Sequence, residues 1–140
     1  MTSPIVICML DGVLSDNRQR RRLLRDGRLD EYHQQLSEDM PVWPTVRILR
    51  GMQAGGCEII LHDSRPESAQ EATKRWLKEF SVDYDWLILG PRTLLTRHLN
   101  QEGGQIFAAV VGTDEHEKFF RTHMHRPYVY RVTQEGLCYP

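Results

Sequence analysis

The sequence predicts an α/β protein: a three-layer αβα sandwich around a mainly parallel, Rossmann-like sheet. Three observations carry that expectation. Residues 4–10 (PIVICML) are continuously apolar and end at Asp11-Gly12, the pattern of a strand buried on both faces. Short apolar runs return at 57–62 (CEIILH), 86–89 (WLIL), 106–111 (IFAAVV) and 128–132 (YVYRV). Between them the periodicity turns helical, and strands alternating with helices imply right-handed crossovers that cover both faces of a sheet.

Taken in order, the first strand leads into residues 16–40, a polar stretch rich in Arg, Asp and Gln. It is expected to form one or two exposed helices broken at Gly27, a minimal cap inserted after the strand. Val42, Val46, Leu49 and Met52 then repeat at helical spacing, and Gly55-Gly56 ends that helix. Pro66 is expected to open the next one, where its missing N–H costs nothing. Ala69, Ala72, Trp76 and Phe80 line its inner face, and Glu71 and Arg75 form an outward i,i+4 pair. Asp114 is the expected N-cap of a third helix, with Phe119, Phe120 and Met124 facing inward. Trp43, Trp76 and Trp86 are expected in or near the core. No repeat, low-complexity tract or linker divides the chain, so residues 1–140 read as one domain.

A chain of 140 residues can bury a core without staples. Its 40% apolar and 26% charged residues are ordinary for a globular protein. A net charge of −1 excludes a general attraction to nucleic acid or membrane, so any such contact needs a local patch. The three cysteines, Cys8, Cys57 and Cys138, lack metal-type spacing, and Cys8 and Cys57 sit in apolar runs as buried reduced thiols would. A reducing, cytoplasmic setting is the expectation. The opening Met-Thr-Ser-Pro has neither the basic nor the long apolar region of a signal peptide, and no run is long enough to span a bilayer.

In parallel sheets ligands sit at the carboxyl ends of the strands. That rule selects residues 11–16, 62–65, 90–92 and 112–114. Two of these places carry a family pattern. The stretch IVICMLDGVLSDNRQR resembles the first motif of the haloacid dehalogenase (HAD) superfamily: an apolar strand, Asp-x-Asp-Gly-Thr/Val, then Leu-x-Asp. GGCEIILHDSRPES is similar to that family's glycine, strand and Ser/Thr-Gly-Arg-Pro-Glu segment, and EDMPVWPTVRILRGMQAGG has the length of the helix between them. IFAAVVGTDEHEKFF falls where the family places its acidic metal motif. Over nearly its whole length the chain most resembles small phosphatases such as the polynucleotide 3′-phosphatase domain of phage end-healing enzymes.

The resemblance implies a nucleophilic Asp at position 9, a general acid/base at Asp11, and Mg²⁺ to neutralise charge between them. The chain departs from that pattern at four places. Met9 stands at the nucleophile position, and a thioether cannot form a phospho-ester adduct. Asp63 stands where a phosphate-binding hydroxyl belongs, with Ser64 displaced by one place and Arg65 following. No lysine lies between Lys78 and Lys118, so Arg92 or Arg97 would have to supply that charge. Gly112-Thr113 replaces the paired metal-binding acids, with Asp114 just after. The ligand pocket expected from the match comprises Met9, Asp11, Asp63, Ser64, Arg65, Arg92, Thr113 and Asp114.

Two further clusters stand out. Arg18, Arg20, Arg21, Arg22, Arg25 and Arg28 crowd one segment and read either as a phosphate-tracking or partner-binding patch or as a solvated helix face, partly neutralised by Asp16, Asp26, Asp30 and Glu31. The run contains no aromatic residue, which argues against single-strand stacking there. A transition-metal site would have to use His62, Asp63, Asp114 and His116, but surface or capping histidines are the favoured reading and no metal ligand is assigned. His123 and His125 point apart at helical spacing, and Phe120 occupies the place of a second ligand after His116.

The function expected from these residues is a catalytically degenerate HAD-type pseudophosphatase, a binding or regulatory protein that needs no cofactor. Its target would be a nucleotide, a nucleic-acid end or a host protein, since the resemblance to phage enzymes implies a phage origin and the host cytoplasm. The alternative is an active nucleotide or polynucleotide 3′-phosphatase with altered chemistry, in which Asp11 activates water and Mg²⁺ assists.

Overall fold

The computed structural model describes residues 3–123, 127–133 and 138–139. Met124 and His125, and the side chains of His123 and Cys138, therefore lie outside the described residues. The apolar runs become strands β1 (Ile5–Met9), β4 (Glu58–Asp63), β5 (Trp86–Leu89), β6 (Ile106–Val111) and β7 (Tyr128–Val132). These five are parallel in the order β5-β4-β1-β6-β7, and a short β8 (Cys138–Tyr139) pairs antiparallel with β7. Every residue of central β1 is at most 3% exposed, which is why its sequence is apolar throughout rather than alternating.

Helix α3 (Trp43–Ala54) links β1 to β4 and α4 (Gln70–Glu79) links β4 to β5. Helix α5 (Arg92–Glu102) carries the chain back across to β6, and α6 (Asp114–His123) links β6 to β7. The handedness rule puts α3 and α4 on one face of the sheet and α5 and α6 on the other. Side chains agree: Trp43 of α3 meets Phe80 at the end of α4 with ring centroids 6.3 Å apart. On the opposite face the Arg92 guanidinium of α5 lies 4.1 Å over the Phe119 ring of α6. The result is the layered, mostly parallel α/β architecture that the alternation of runs predicts.

Three local expectations are corrected. Trp76 is buried, but Trp43 and Trp86 are 39% and 42% exposed. Trp86 lies on edge strand β5, where no neighbouring strand covers it, and it donates its indole N–H to Glu58 at 2.8 Å while resting on His98. Helix α6 is capped by Thr113, whose Oγ1 accepts the His116 N–H at 3.2 Å; Asp114 is its first residue. Pro66 precedes a 3-10 turn, Glu67–Ala69, that leads into α4, and Thr73 and Leu77 carry more of that helix's buried face than Ala72.

The insert after β1 also departs from an exposed helical cap. It folds as a 3-10 turn (Arg18–Arg20), α1 (Arg21–Arg25), α2 (Leu29–Gln34) and a second turn (Gln35–Glu38), with Gly27 at φ +72° between the two helices. A two-residue ribbon, β2 (Ser15–Asp16) against β3 (Met40–Pro41), ties its ends together. Arg20, Leu23, Tyr32 and Leu36 are buried, so the insert packs over the carboxyl end of the sheet instead of standing in solvent. No helix among the described residues is long and apolar enough to cross a membrane.

Because Leu77 is fully buried, Leu77→Ala is expected to cost roughly 2–5 kcal/mol, and Trp86→Ala on the open edge less than about 2 kcal/mol. Urea unfolding of the two variants measures both; an equal loss would mean that the edge is covered in solution.

Candidate functional site

The chain builds outward from β1 in one direction through β4 and β5, then in the other through β6 and β7. The loops that follow β1 and β6 therefore diverge, and a crevice opens between them at the carboxyl ends of the strands. The described residues have a cleft of about 450 Å³ there, lined by Asp11, Gly12, Asn17, Arg21, Gly112, Thr113, Arg131, Val132 and Thr133. Two glycines let its walls approach. Gly12 turns at φ +79°, and a Cβ on Gly112 would sit 2.9 Å from Val13 Cγ2, so a side chain there would force the loops apart.

Asp11 closes the inner end of the cleft, and its carboxylate has three side-chain partners. Oδ1 accepts Nη2 of Arg20 at 2.6 Å and Nη2 of Arg65 at 2.5 Å, and Oδ2 accepts the Tyr32 hydroxyl at 2.9 Å. Both guanidiniums are buried, each 1% exposed. Arg20 also grips Asp39 with two bonds of 2.9 and 2.6 Å, donates to the Tyr32 carbonyl at 3.0 Å, and lies 4.3 Å over the Tyr32 ring. Asp39 in turn accepts the Ser15 hydroxyl, and its carbonyl accepts the Trp76 indole N–H at 2.8 Å. Arg65 reaches Thr73 at 3.0 Å on α4. A single connected network thus joins the β1 loop, the insert, the β4 loop and α4.

These contacts set the charges. Burial works to raise the Asp11 carboxyl, but the guanidiniums of Arg65 and Arg20 and the bonds from Arg65 and Tyr32 outweigh it and hold the group below the ordinary carboxylate range. Asp63 moves the other way. Burial, joined by the charge of Asp11, pushes it up to about 6, against the Arg65 charge and the backbone N–H groups of Asp11 (2.7 Å) and Arg65 (3.2 Å) that it accepts. The Tyr32 hydroxyl is raised by burial and then by Asp11, so it stays a donor at neutral pH.

The residues expected to form one pocket are spread over several environments. Asp11 and Thr113 line the cleft. Met9 is 3% exposed and packed in the apolar core. Asp63 and Arg65 lie behind Asp11 in the network, and Ser64 is exposed. Arg92 sits on Phe119 and pairs with Glu115 at 3.6 Å. Asp114, with its side chain 97% exposed, accepts Arg131 at 2.7 Å. Nor is the arginine cluster a uniform surface. Arg20 points inward because two buried carboxylates need it, Arg18 pairs with Asp16 at 2.6 Å, Arg28 pairs with Glu31, and Arg21 donates to Asn17 at 3.0 Å beside the cleft. Arg22 and Arg25 remain at the surface.

The strand-end rule, applied to the fifth apolar run as well, would have found Arg131, Val132 and Thr133. Asn17 and the partners Tyr32 and Asp39 lack any comparable signal, since nothing local ties them to residue 11.

Among the described residues no group of three or more His, Cys, Asp or Glu side chains could hold a metal ion. His62 is buried with Nδ1 hydrogen-bonded to the Ile88 carbonyl at 2.8 Å, while Asp63 and Asp114 turn to other partners. The Mg²⁺ ion implied by the family resemblance does not fit either. It needs several carboxylate oxygens free for near-octahedral geometry, whereas Oδ1 of Asp11 is held by two guanidiniums, Oδ2 accepts the Tyr32 hydroxyl, and position 9 offers a thioether.

No family model and no curated protein sequence matches the chain. Two solved structures do match it in shape. A chain of the Pnkp1/Rnl/Hen1 complex superposes with a TM-score of 0.73 over 95% of this chain at 22% identity. A chain of the Pnkp1/Rnl/Hen1 RNA repair complex gives 0.71 over 94% at 20% identity. The likeness is one of fold. This chain covers 47% and 43% of those two chains, less than half of either.

Removing Arg20 leaves buried Asp39 without its cation and Asp11 with Arg65 alone, so Arg20→Met is expected to cost roughly 3–5 kcal/mol in urea unfolding. Arg20→Lys should recover little of it, because an ammonium cannot reproduce the forked contact to Asp39. The network also predicts a pH effect. A carboxyl whose folded pKa is raised stabilises most below its unfolded value and loses that contribution as pH rises through about 6. Buried His62 and half-buried His116, both lowered by burial first, act oppositely and lose stability on acidification. The Asp63 share is therefore isolated by comparison: from pH 7.5 to 5, wild type should gain about 2–4 °C in Tm relative to Asp63→Asn. Parallel Tm curves would show that Asp63 does not titrate in this window.

Proposed function

We propose that this protein binds a phosphorylated nucleic-acid end or nucleotide without hydrolysing it, on a HAD-type scaffold whose catalytic groups have been turned to structural use. The observation that carries this reading is the capture of Asp11 by two arginines and a tyrosine. At the acid/base position a carboxylate must exchange a proton with the leaving group or water. Here two buried guanidiniums and a phenol occupy its oxygens and keep it ionised. The nucleophile position is a thioether buried in the core, so neither half of the family's chemistry has a group to perform it.

The cleft beside Asp11 suits an anion. Arg21 enters from the insert and Arg131 from the end of β7, where an anion would compete with Asp114 at 2.7 Å and Glu117 at 3.1 Å for its guanidinium, and Thr113 and Thr133 line the space between the two glycine-walled loops. The fold likeness to chains of an RNA repair complex supports a role connected with nucleic-acid ends, and it makes a protein or nucleic-acid partner a reasonable expectation.

The test is an assay of p-nitrophenyl phosphate and a 3′-phosphorylated oligonucleotide with Mg²⁺, Mn²⁺ or Zn²⁺ in turn, beside a thermal-shift titration with the same oligonucleotide. No turnover above blank is expected, together with a rise in Tm that Arg21→Ala and Arg131→Ala each reduce. Turnover that disappears in Asp11→Asn and persists in an Asp16→Asn control would overturn the binding reading in favour of an Asp11-dependent hydrolase.

A further inference from the structure

On the other side of the Arg18–Arg20 turn from the cleft lies a second concavity that the phosphate reading does not use. Two lobes of about 270 and 390 Å³ share Gln19, Glu38 and Asp39 and so form one groove between that turn and the end of the insert. Resting on the proposed function, we infer that this groove is a nucleobase subsite, which takes the unpaired base of the nucleotide whose phosphate occupies the cleft.

The floor of the groove is rigid. Arg20 and Asp39, 1% and 6% exposed, hold each other through two bonds, and their remaining polar atoms go to Asp11, Tyr32, Ser15 and Trp76. The walls are different. Gln19, Gln35, Arg22 and Glu38 make no hydrogen bond or ion pair with another described side chain, so two carboxamides, a guanidinium and a carboxylate face the space unengaged. Carboxamides pair with the paired donor and acceptor on a base edge, a carboxylate accepts from an exocyclic amine, and a guanidinium plane can stack on the ring.

Charge chooses the base over a second phosphate. Asp39 is matched by Arg20, and Asp16 by Arg18 at 2.6 Å, which leaves Arg22 and Glu38 with opposite signs. A nearly neutral wall rich in donors and acceptors fits an uncharged planar group and would repel as much of a phosphate as it attracts. Connection to the cleft is direct, because one atom, Arg20 Nη2, lies 2.6 Å from both Asp11 at the cleft and Asp39 in the groove floor. With no aromatic side chain lining it, the groove reads base edges, so binding should depend on which base is present.

The experiment measures affinity for three probes: inorganic phosphate, a short 3′-phosphorylated oligoribonucleotide, and the same oligomer with its last base removed. Wild type should bind the full oligomer about tenfold more tightly than the abasic one. The surface double variant Gln19→Ala/Gln35→Ala should abolish that difference and leave inorganic phosphate binding unchanged. If phosphate binds but the full and abasic oligomers bind alike, or the double variant retains the full preference, the subsite is overturned and the cleft reading stands. If no probe binds to wild type, both fall together.

Discussion

The structure depends on one buried interaction, the Asp11 carboxylate held between the guanidiniums of Arg20 and Arg65. A carboxylate at the carboxyl end of a parallel sheet is an expensive thing to bury alone. It becomes tolerable here because each arginine comes from a different element, one from the insert and one from the β4 loop, and because Tyr32 fills the other oxygen. The charge therefore joins three segments that hydrophobic packing alone would leave free to shift. Breaking it exposes more than one unpaired group, since Arg20 is shared with Asp39.

That sharing explains why the insert is ordered. Its helices α1 and α2 have five and six residues, too short to be stable by themselves. Their apolar contribution is small, with Leu23, Tyr32 and Leu36 as the buried members. Direction comes from the polar contacts: Arg20 to Asp11 and Asp39, Asn17 to the Tyr32 hydroxyl at 2.9 Å, and Ser15 to Asp39. A segment that reads as a solvated, arginine-rich helix is in fact fastened by the one arginine that has two buried acids to answer.

The layout of the sheet was legible because a strand buried on both faces must be apolar, as residues 4–10 are throughout, and four more short, mostly apolar runs stand apart along the chain. The edge was less legible. WLIL at 86–89 looks like a core strand, yet β5 has a neighbour on one side only and Trp86 meets solvent. At the site, the strand-end rule selected Asp11 and Thr113, which line the cleft, while Met9, read from the resemblance as standing at a nucleophile position, is packed in the core. Neither the rule nor the resemblance could show that Arg20 faces inward while Arg22 and Arg25 face out. All three sit in one charged run, and only the position of Asp39, nineteen residues on from Arg20, decides between them.

The same geometry bears on the proposal that this site binds a phosphorylated end without turning it over. A catalytic carboxylate needs a pKa near the working pH and an open oxygen. A structural one needs the reverse, cations beside it and a pKa driven down, and Asp11 has two guanidiniums on Oδ1, a phenol on Oδ2 and a lowered pKa. The titration range that Asp11 lacks appears instead on Asp63, but Asp63 spends its oxygens on backbone N–H groups and does not line the cleft. What remains at the strand ends is a cleft between two glycine-walled loops, with Arg21 beside Asn17 and Arg131 held by Asp114 and Glu117. On the proposed binding reading, Met9 in place of an attacking carboxylate and an Asp11 tied up by arginines would separate binding from turnover without disturbing the sheet that frames both.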